Sequence, residues 1–423
     1  MEDLELKLKN YFGFTSFRDG QKEIIEYLIK GENILSVMPT GFGKSLCYQL
    51  SALMLEGKTV IVSPLIALMN DQVSALKSYG IDCEVLHSDQ SEEEGRNSWN
   101  SFFRGSSKIL YVSPERLTSE NFLSHLKKLN ISMFVVDEAH CISSWGNEFK
   151  PAYSKLEILK NHFPKSTFGA FTATADKITR EDVSQKLTGG KCKIIISDFD
   201  RPNLSLSVLP KIDFKKNVVN FLNQRKNQSG IIYCLSRNDT DTLCDYLNSQ
   251  GFYALSYHAG KSADEKLDAQ NKFMTLQNVI MVATIAFGMG IDKPDIRYVI
   301  HASIPSDIES FYQEIGRAGR DNKESNTLLI FGYDDLFQRR RFIEESNTQK
   351  NYKIKEHKRL DSLLSYCDTA ICRQQTLLSY FQESSEVCGK CDNCLNPPEL
   401  IEGTKFAQMI LSAIYRTGQY FGS

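Results

Sequence analysis

Residues 34–54 read ILSVMPTGFGKSLCYQLSALM. Their reading decides the fold. The apolar run ILSVM is a buried strand, and a glycine-rich turn, a Lys-Ser pair and a stretch of good helix formers follow it. That context is a phosphate cradle. Gly41 and Gly43 leave room for backbone N–H groups to converge on phosphate oxygens, and the start of the next helix adds the positive end of its dipole. Thr40 and Phe42 complete the turn, Lys44 reaches toward β- and γ-phosphates, and Ser45 is placed to hold Mg²⁺. The general pattern G-x-x-x-x-G-K-[ST] is only partly met, because Met38 occupies its first glycine position; the tighter G-x-G-K-S is intact.

Outward from this stretch, short β-branched runs alternate with helical segments: 59–63 (TVIVS), 108–113 (KILYVS), 133–137 (MFVVD), 167–172 (TFGAFT) and 193–197 (KIIIS). A second set follows at 230–234 (GIIYC), 253–257 (YALSY), 279–283 (VIMVA), 296–301 (IRYVIH) and 327–331 (TLLIF). Such runs are strands buried on both faces of parallel sheets joined by crossover helices. Two sets in series predict two α/β domains, linked near 198–206 where a proline breaks the pattern. Beyond residue 333 the strand pattern stops. Residues 339–359 carry eight Lys/Arg and three Glu, a local +5, which reads either as a solvated helix face or as one that meets nucleic acid.

The run MFVVDEAH (133–140) ends a strand in adjacent carboxylates. Two like charges at the end of a buried strand cost stability unless a cation joins them. An exposed Asp-Glu at a loop start is the plain alternative. Beside a phosphate loop, Asp137 fits a Mg²⁺-ordering residue and Glu138 a general base for the attacking water.

The whole chain is 423 residues with 41% hydrophobic and 24% charged residues, which excludes disordered and fibrous classes. Its net charge of −2 gives no global attraction to nucleic acid or membrane. No apolar run is long enough to span a bilayer, and the charged start MEDLELKLKN is not a signal peptide. Eleven cysteines without a secretory signal point to a reducing compartment. Four of them, Cys372, Cys388, Cys391 and Cys394, have overlapping C-x-x-C spacing suited to tetrahedral Zn²⁺. Disulfides and an iron–sulfur cluster are alternatives for the same four thiols; Cys367 is a less favoured ligand.

Taken together, these motifs resemble superfamily 2 helicases, and within them the RecQ family of DNA helicases, over about residues 8–394. The segments are FGFTSFRDGQ (12–21), MPTGFGKSLCY (38–48), VSPLIALMNDQV (62–73), YVSPERL (111–117), VDEAHCISSWGNEFKPAY (136–153), FTATA (171–175), VATIAFGMGIDKP (282–294) and QEIGRAGRD (313–321). The resemblance implies an α/β chain of two tandem RecA-like parallel-sheet domains (1–200 and 201–335). A small helical zinc-binding domain (336–400) and the truncated start of a winged-helix domain (401–423) follow. It implies an ATP-dependent 3′→5′ DNA helicase of repair and recombination, using ATP, Mg²⁺ and Zn²⁺. The partners are single-stranded and tailed duplex DNA, with no membrane and a monomer sufficient. The compartment is cytoplasmic in a bacterium, nuclear in a eukaryote.

Residue by residue, Gln21 reads the adenine edge with Phe14 and Arg18 nearby. Gln313 orients the attacking water. Arg317 and Arg320, three apart, are expected on one helical turn, pointing together at the γ-phosphate. DNA contacts fall on Ser63, Asn70, Ser113, Arg116, Arg201, Asn203, Ser236, Arg237, Thr284 and Lys293, mostly to phosphate and therefore independent of sequence. Trp145 and Phe149 in the aromatic-rich loop stack on bases. That loop departs from the family pattern: Asn147 stands where His is frequent, while Glu148 and Lys150 keep the charge of the usual Asp and Arg. An RNA helicase, a translocase that does not unwind, and a nucleotide-gated scaffold remain open readings at this level.

Overall fold

The computed structural model describes residues 3–39, 41–143, 150–288, 291, 293–346 and 350–418. Thr40, Trp145, Asn147, Glu148 and Phe149 lie outside the described residues.

Two all-parallel sheets organise the chain. The first contains β1 (Ile34–Val37), β2 (Lys58–Val62), β3 (Cys83–Leu86), β4 (Ile109–Val112), β5 (Ile131–Val136), β6 (Thr167–Thr172) and β7 (Lys193–Ile196), in the order β3-β4-β2-β5-β6-β1-β7. The second contains β8 (Leu204–Pro210), β9 (Ser229–Tyr233), β10 (Ala254–Tyr257), β11 (Ile280–Ala283), β12 (Ile296–His301) and β13 (Ser325–Phe331), in the order β10-β11-β9-β12-β13-β8. β1, β4, β9 and β11 are buried along their whole length, as strands covered by helices on both faces must be.

Strand order explains the site. β6 lies between β1 and β5, with Val37 opposite Thr172 and Val136 opposite Ala170. The carboxyl ends of these three strands therefore put the phosphate loop, the FTATA segment and the Asp-Glu pair side by side, the edge where open α/β sheets bind ligands.

Two strands escape the sequence reading, β3 and β8, and both are sheet edges. β8 begins inside the stretch read as a linker, 198–206, and runs on to Pro210. Its LSLSVLP alternates buried and half-buried residues before emerging into solvent, so it lacks the continuous apolar run of a central strand.

The connection between the sheets is short and held at both ends. Ser197 N–H donates to Val37 O at 2.9 Å, anchoring it to the first sheet. Two residues on, Phe199 is fully buried and stacks on Phe381 at 4.3 Å between ring centroids and 3° between planes. Such a stack contributes about 0.5–1.5 kcal/mol beyond its buried area. Phe199 N–H donates to the Glu383 carboxylate at 3.0 Å, and Tyr312 Oη donates to Phe199 O at 2.7 Å. Leu360, Leu363, Tyr366, Leu377 and Leu378 of the C-terminal helices share one core with Phe311, Tyr312 and Ile315 of the second lobe.

The basic segment now has a reading. Arg339 donates to Ile304 O at 2.9 Å, Arg340 pairs with Asp361 at 2.7 Å, and Arg359 pairs with Glu309 and Glu356. Its arginines brace the helical region. Helix Thr404–Arg416 buries no residue among the described residues: Phe406, Met409, Ile410 and Leu411 are all exposed.

Candidate functional site

The phosphate loop has the predicted frame. Helix Lys44–Met54 begins directly after Gly43, whose φ of +80° suits glycine, and a Cβ there would lie 2.5 Å from Gln21 Nε2. Lys44 Nζ donates to Met38 O at 3.1 Å, folded back under the loop. Burial pushes its pKa down, with Glu138 and Asp137 pulling the other way and Arg320 adding to the drop. Ser45 is the second residue of the helix.

Gln21 is buried, and both ends of its amide are engaged. Oε1 accepts from Arg18 N–H at 2.9 Å, and Nε2 donates to Phe42 O at 2.9 Å. The Arg18 guanidinium reaches the Gly41 carbonyl. This motif clasps the phosphate loop, while Phe14 stands half exposed beside it.

At the end of β5, Asp137 N–H donates to Val62 O at 2.9 Å and Tyr153 Oη donates to Asp137 O at 3.2 Å. Burial, then the neighbouring Glu138, pushes the Asp137 carboxyl up to about 7, with Lys44 opposing. A bound cation would reverse that rise. Glu138 itself adopts left-handed backbone with φ +49°, an uncommon conformation for a residue with a side chain. Its Oε2 is buried, accepts no hydrogen bond among the described residues, and lies 3.5 Å from His140 Nδ1. An orphaned carboxylate oxygen next to a second buried acid is a donor set that fits Mg²⁺ and a water.

His140 begins a chain of contacts that the sequence reading misses. Its Nδ1 is 2.7 Å from Thr172 Oγ1, Thr172 Oγ1 donates to Thr174 O at 2.9 Å, and Gln313 Nε2 donates to Thr174 Oγ1 at 3.2 Å. The Asp-Glu pair is thus linked through FTATA to the second lobe. The recurrent threonines of FTATA were the available signal. Gln313 sits on helix Ile308–Ile315, fixed by a buried pair, His301 Nε2 to Glu314 Oε2 at 2.7 Å.

The two arginines do not share a helix face as expected. That helix ends at Ile315, and Gly319 turns the chain with φ +60°. The Arg317 guanidinium donates to Gly288 O inside its own lobe, and its Nε has no hydrogen-bond partner among the described residues. Arg320 crosses the cleft: its Cγ lies 3.2 Å from where a Cβ on Gly41 would be.

The expected DNA residues divide into two groups. Asn70, Arg116 and Arg237 are exposed, and Ser113, Ser236 and Thr284 are half-buried. Four face inward. Ser63 is 1% exposed. Arg201 donates to Ala318 O at 2.9 Å and Gly319 O at 3.1 Å, and Asn203 donates to Gly319 O and Lys323 O at 2.9 and 3.0 Å. These two hold the turn that carries Arg317 and Arg320. Lys293 is 5% exposed, donating to Leu276 O at 3.2 Å and paired with Asp295 at 3.3 Å.

The sulfurs of Cys372, Cys388, Cys391 and Cys394 lie within 4.8 Å of one another. Cys391 and Cys394 are 3.3 Å apart, Cys388 and Cys394 3.9 Å. Zn–S bonds of about 2.3 Å in a tetrahedron require S···S near 3.8 Å, so the set fits zinc. Backbone N–H groups point at the sulfurs: Cys388 N to Cys372 Sγ, Cys391 N to Cys388 Sγ and Arg373 N to Cys391 Sγ, all 3.4 Å. Against the upward push of burial, the N–H groups of Cys388 and Gln375 hold the Cys372 thiol at about 7. Cys367 is not among the four; burial pushes its thiol to about 12.

With this geometry in place, similarity to known proteins identifies the family. DEAD/DEAH box helicase matches residues 18–183, helicase conserved C-terminal domain 213–322, and RecQ zinc-binding 333–395. The chain is 40% identical over 417 residues to the ATP-dependent DNA helicase RecQ of Haemophilus influenzae, covering 98% of this chain and 67% of that protein. It is 39% identical to the RecQ of Bacillus subtilis, covering 98% and 71%. The chain belongs to the RecQ helicase family. It spans about two thirds of the length of these relatives. Among solved structures, Mss116p bound to single-stranded RNA and AMP-PNP superposes with a TM-score of 0.64 at 16% identity, covering 98% of this chain and 93% of that one. That likeness speaks for the two-lobed fold and not for the choice of polymer. The four cysteines form the zinc site of the RecQ zinc-binding region. Among the described residues, no helix is long and apolar enough to cross a membrane.

Proposed function

We propose that this RecQ chain hydrolyses ATP in the cleft between its lobes and uses the cycle to move 3′→5′ along single-stranded DNA and part a duplex, in DNA repair and recombination. The observation that carries this reading is the divided site: Lys44, Asp137 and Glu138 stand on one lobe, while from the other Gln313 reaches Thr174 of FTATA and Arg320 reaches Gly41 of the phosphate loop. A site completed only when lobes meet turns nucleotide binding and release into opening and closing.

ATP enters with its phosphates over Gly41 to Lys44, and its adenine takes the Gln21 amide edge from Arg18 N–H and Phe42 O. Ser45 and Asp137 would hold Mg²⁺, which would supply positive charge to the phosphates. Glu138 takes the proton of the attacking water, oriented with Gln313. Arg320 meets the charge that develops on the transferring phosphoryl group, and Arg317 is the second candidate for that role. Arg201 and Asn203 position these arginines. The strand is gripped by Asn70, Ser113 and Arg116 on one lobe and Ser236, Arg237 and Thr284 on the other, with Trp145 and Phe149 stacking on bases. Helix Thr404–Arg416, with its apolar face open, is the start of a winged-helix unit. The residue blocks 1–200, 201–335, 336–400 and 401–423 are the corresponding domains.

Strand displacement on 3′-tailed and 5′-tailed duplexes with ATP, alongside Glu138→Gln, tests the proposal. Unwinding from 3′ tails alone, lost in the variant, is expected. Activity only on 5′ tails overturns the polarity, and stimulation of ATP hydrolysis by RNA but not DNA overturns the substrate.

A further inference from the structure

The second sheet has a cavity at its other end. About 290 Å³ opens at the amino-terminal edge of β9, β10, β11 and β12, away from the strand ends that carry the ATP-facing residues. This is at the lower bound of small-molecule pockets, about 300 Å³, which limits an occupant to roughly one nucleotide in size.

The lining is chemically one-sided. It holds two cations, Arg225 and Lys226, and no carboxylate. Arg225 is fixed in place. Its guanidinium stacks on Phe221 at 3.8 Å and donates to Phe221 O at 3.0 Å and Asn326 Oδ1 at 3.1 Å. Among the described residues neither cation has an acidic partner. A half-buried arginine held rigidly without a counter-charge is a site for an anion. Tyr253 at the rim, 47% exposed, supplies aromatic surface, while Tyr298 is packed against Gly230 and fully buried beneath.

We infer that this cavity is a second ligand site, distinct from the ATP cleft, which takes a phosphate-bearing nucleoside unit. Phosphate meets Arg225 and Lys226, and the base lies against the exposed Tyr253 ring. The unit comes either from a free mononucleotide or from a phosphorylated strand end.

The test is calorimetric titration of the full chain, first saturated with a non-hydrolysable ATP analogue so that the cleft is filled. AMP, a 5′-phosphorylated oligodeoxynucleotide, its unphosphorylated twin and inorganic phosphate are the probes. The expected result is one added equivalent of AMP, with inorganic phosphate at least tenfold weaker. Preference for the phosphorylated over the unphosphorylated oligonucleotide identifies a strand end as the source, and binding of AMP alone identifies the free nucleotide. Lys226→Glu alters an exposed side chain and leaves packing intact. It weakens AMP at least tenfold while ATP hydrolysis without AMP is unchanged. Absence of any added AMP equivalent, or AMP affinity equal to wild type in Lys226→Glu, overturns the inference.

Discussion

The two halves of the ATP cleft are built in different ways. The first lobe presents its groups from three neighbouring strand ends, locked by ladder bonds such as Asp137 N–H to Val62 O and Met38 N–H to Thr172 O, both 2.9 Å. The second lobe presents its groups from a helix end and a turn, held by side chains from elsewhere in the lobe: Arg201, Asn203 and the His301–Glu314 pair. One half is set by the sheet itself. The other is set by hydrogen bonds that a single substitution removes. The first half therefore defines the chemistry, and the second defines when it happens.

Substitutions break this contrast in graded order. Glu138→Gln lowers the ATP turnover rate by about 10²–10⁴-fold with nucleotide affinity retained, the scale of a lost general base; single-turnover hydrolysis with a binding titration measures both. Arg320→Ala acts from the opposite half and lowers turnover by about 10²–10³-fold, the scale of one transition-state donor. Equal turnover in Arg320→Ala and wild type would show that the second lobe does not reach the reacting phosphate. Trp145→Ala removes a stacking surface of about 1–3 kcal/mol, so stimulation by single-stranded DNA falls while basal hydrolysis stays. Full stimulation in that variant would place coupling elsewhere. Thr174→Val is the smallest. It deletes the hydroxyl that Gln313 bonds across the cleft, about 1 kcal/mol, and produces a few-fold loss in DNA-stimulated rate with basal rate unaltered.

What the sequence discloses follows the same division. Central strands announce themselves because burial on both faces demands continuous apolar runs, as in ILSVM and MFVVD. β3 and β8, at sheet edges, meet no such demand. The zinc cysteines are legible because three ligands sit within seven residues, so spacing alone brings them together. The chain from His140 through Thr172 and Thr174 to Gln313 spans contacts 32 and 139 residues apart, and no local pattern encodes it. The divergence of Arg317 and Arg320 was hidden for another reason. Spacing of three implies one face only if the helix continues, and Gly319 ends that premise with its positive φ. Arg201, Asn203 and Lys293 carry the residue types of phosphate contacts, but side-chain type does not disclose which carbonyl is near enough to claim it.

The joint between the lobes has a geometric consequence. Ser197 belongs to the first sheet through Val37, and Phe199 belongs to the second lobe through Phe381 and Glu383. Only Asp198 lies between them, its carboxylate accepting the Asp200 N–H at 2.7 Å, and two residue steps extend to no more than about 7 Å. Bodies on so short a tether cannot drift apart; they can only pivot. Opening therefore widens most at the mouth farthest from residue 198. Residues near the pivot feel a change of angle, while those at the mouth feel a change of distance.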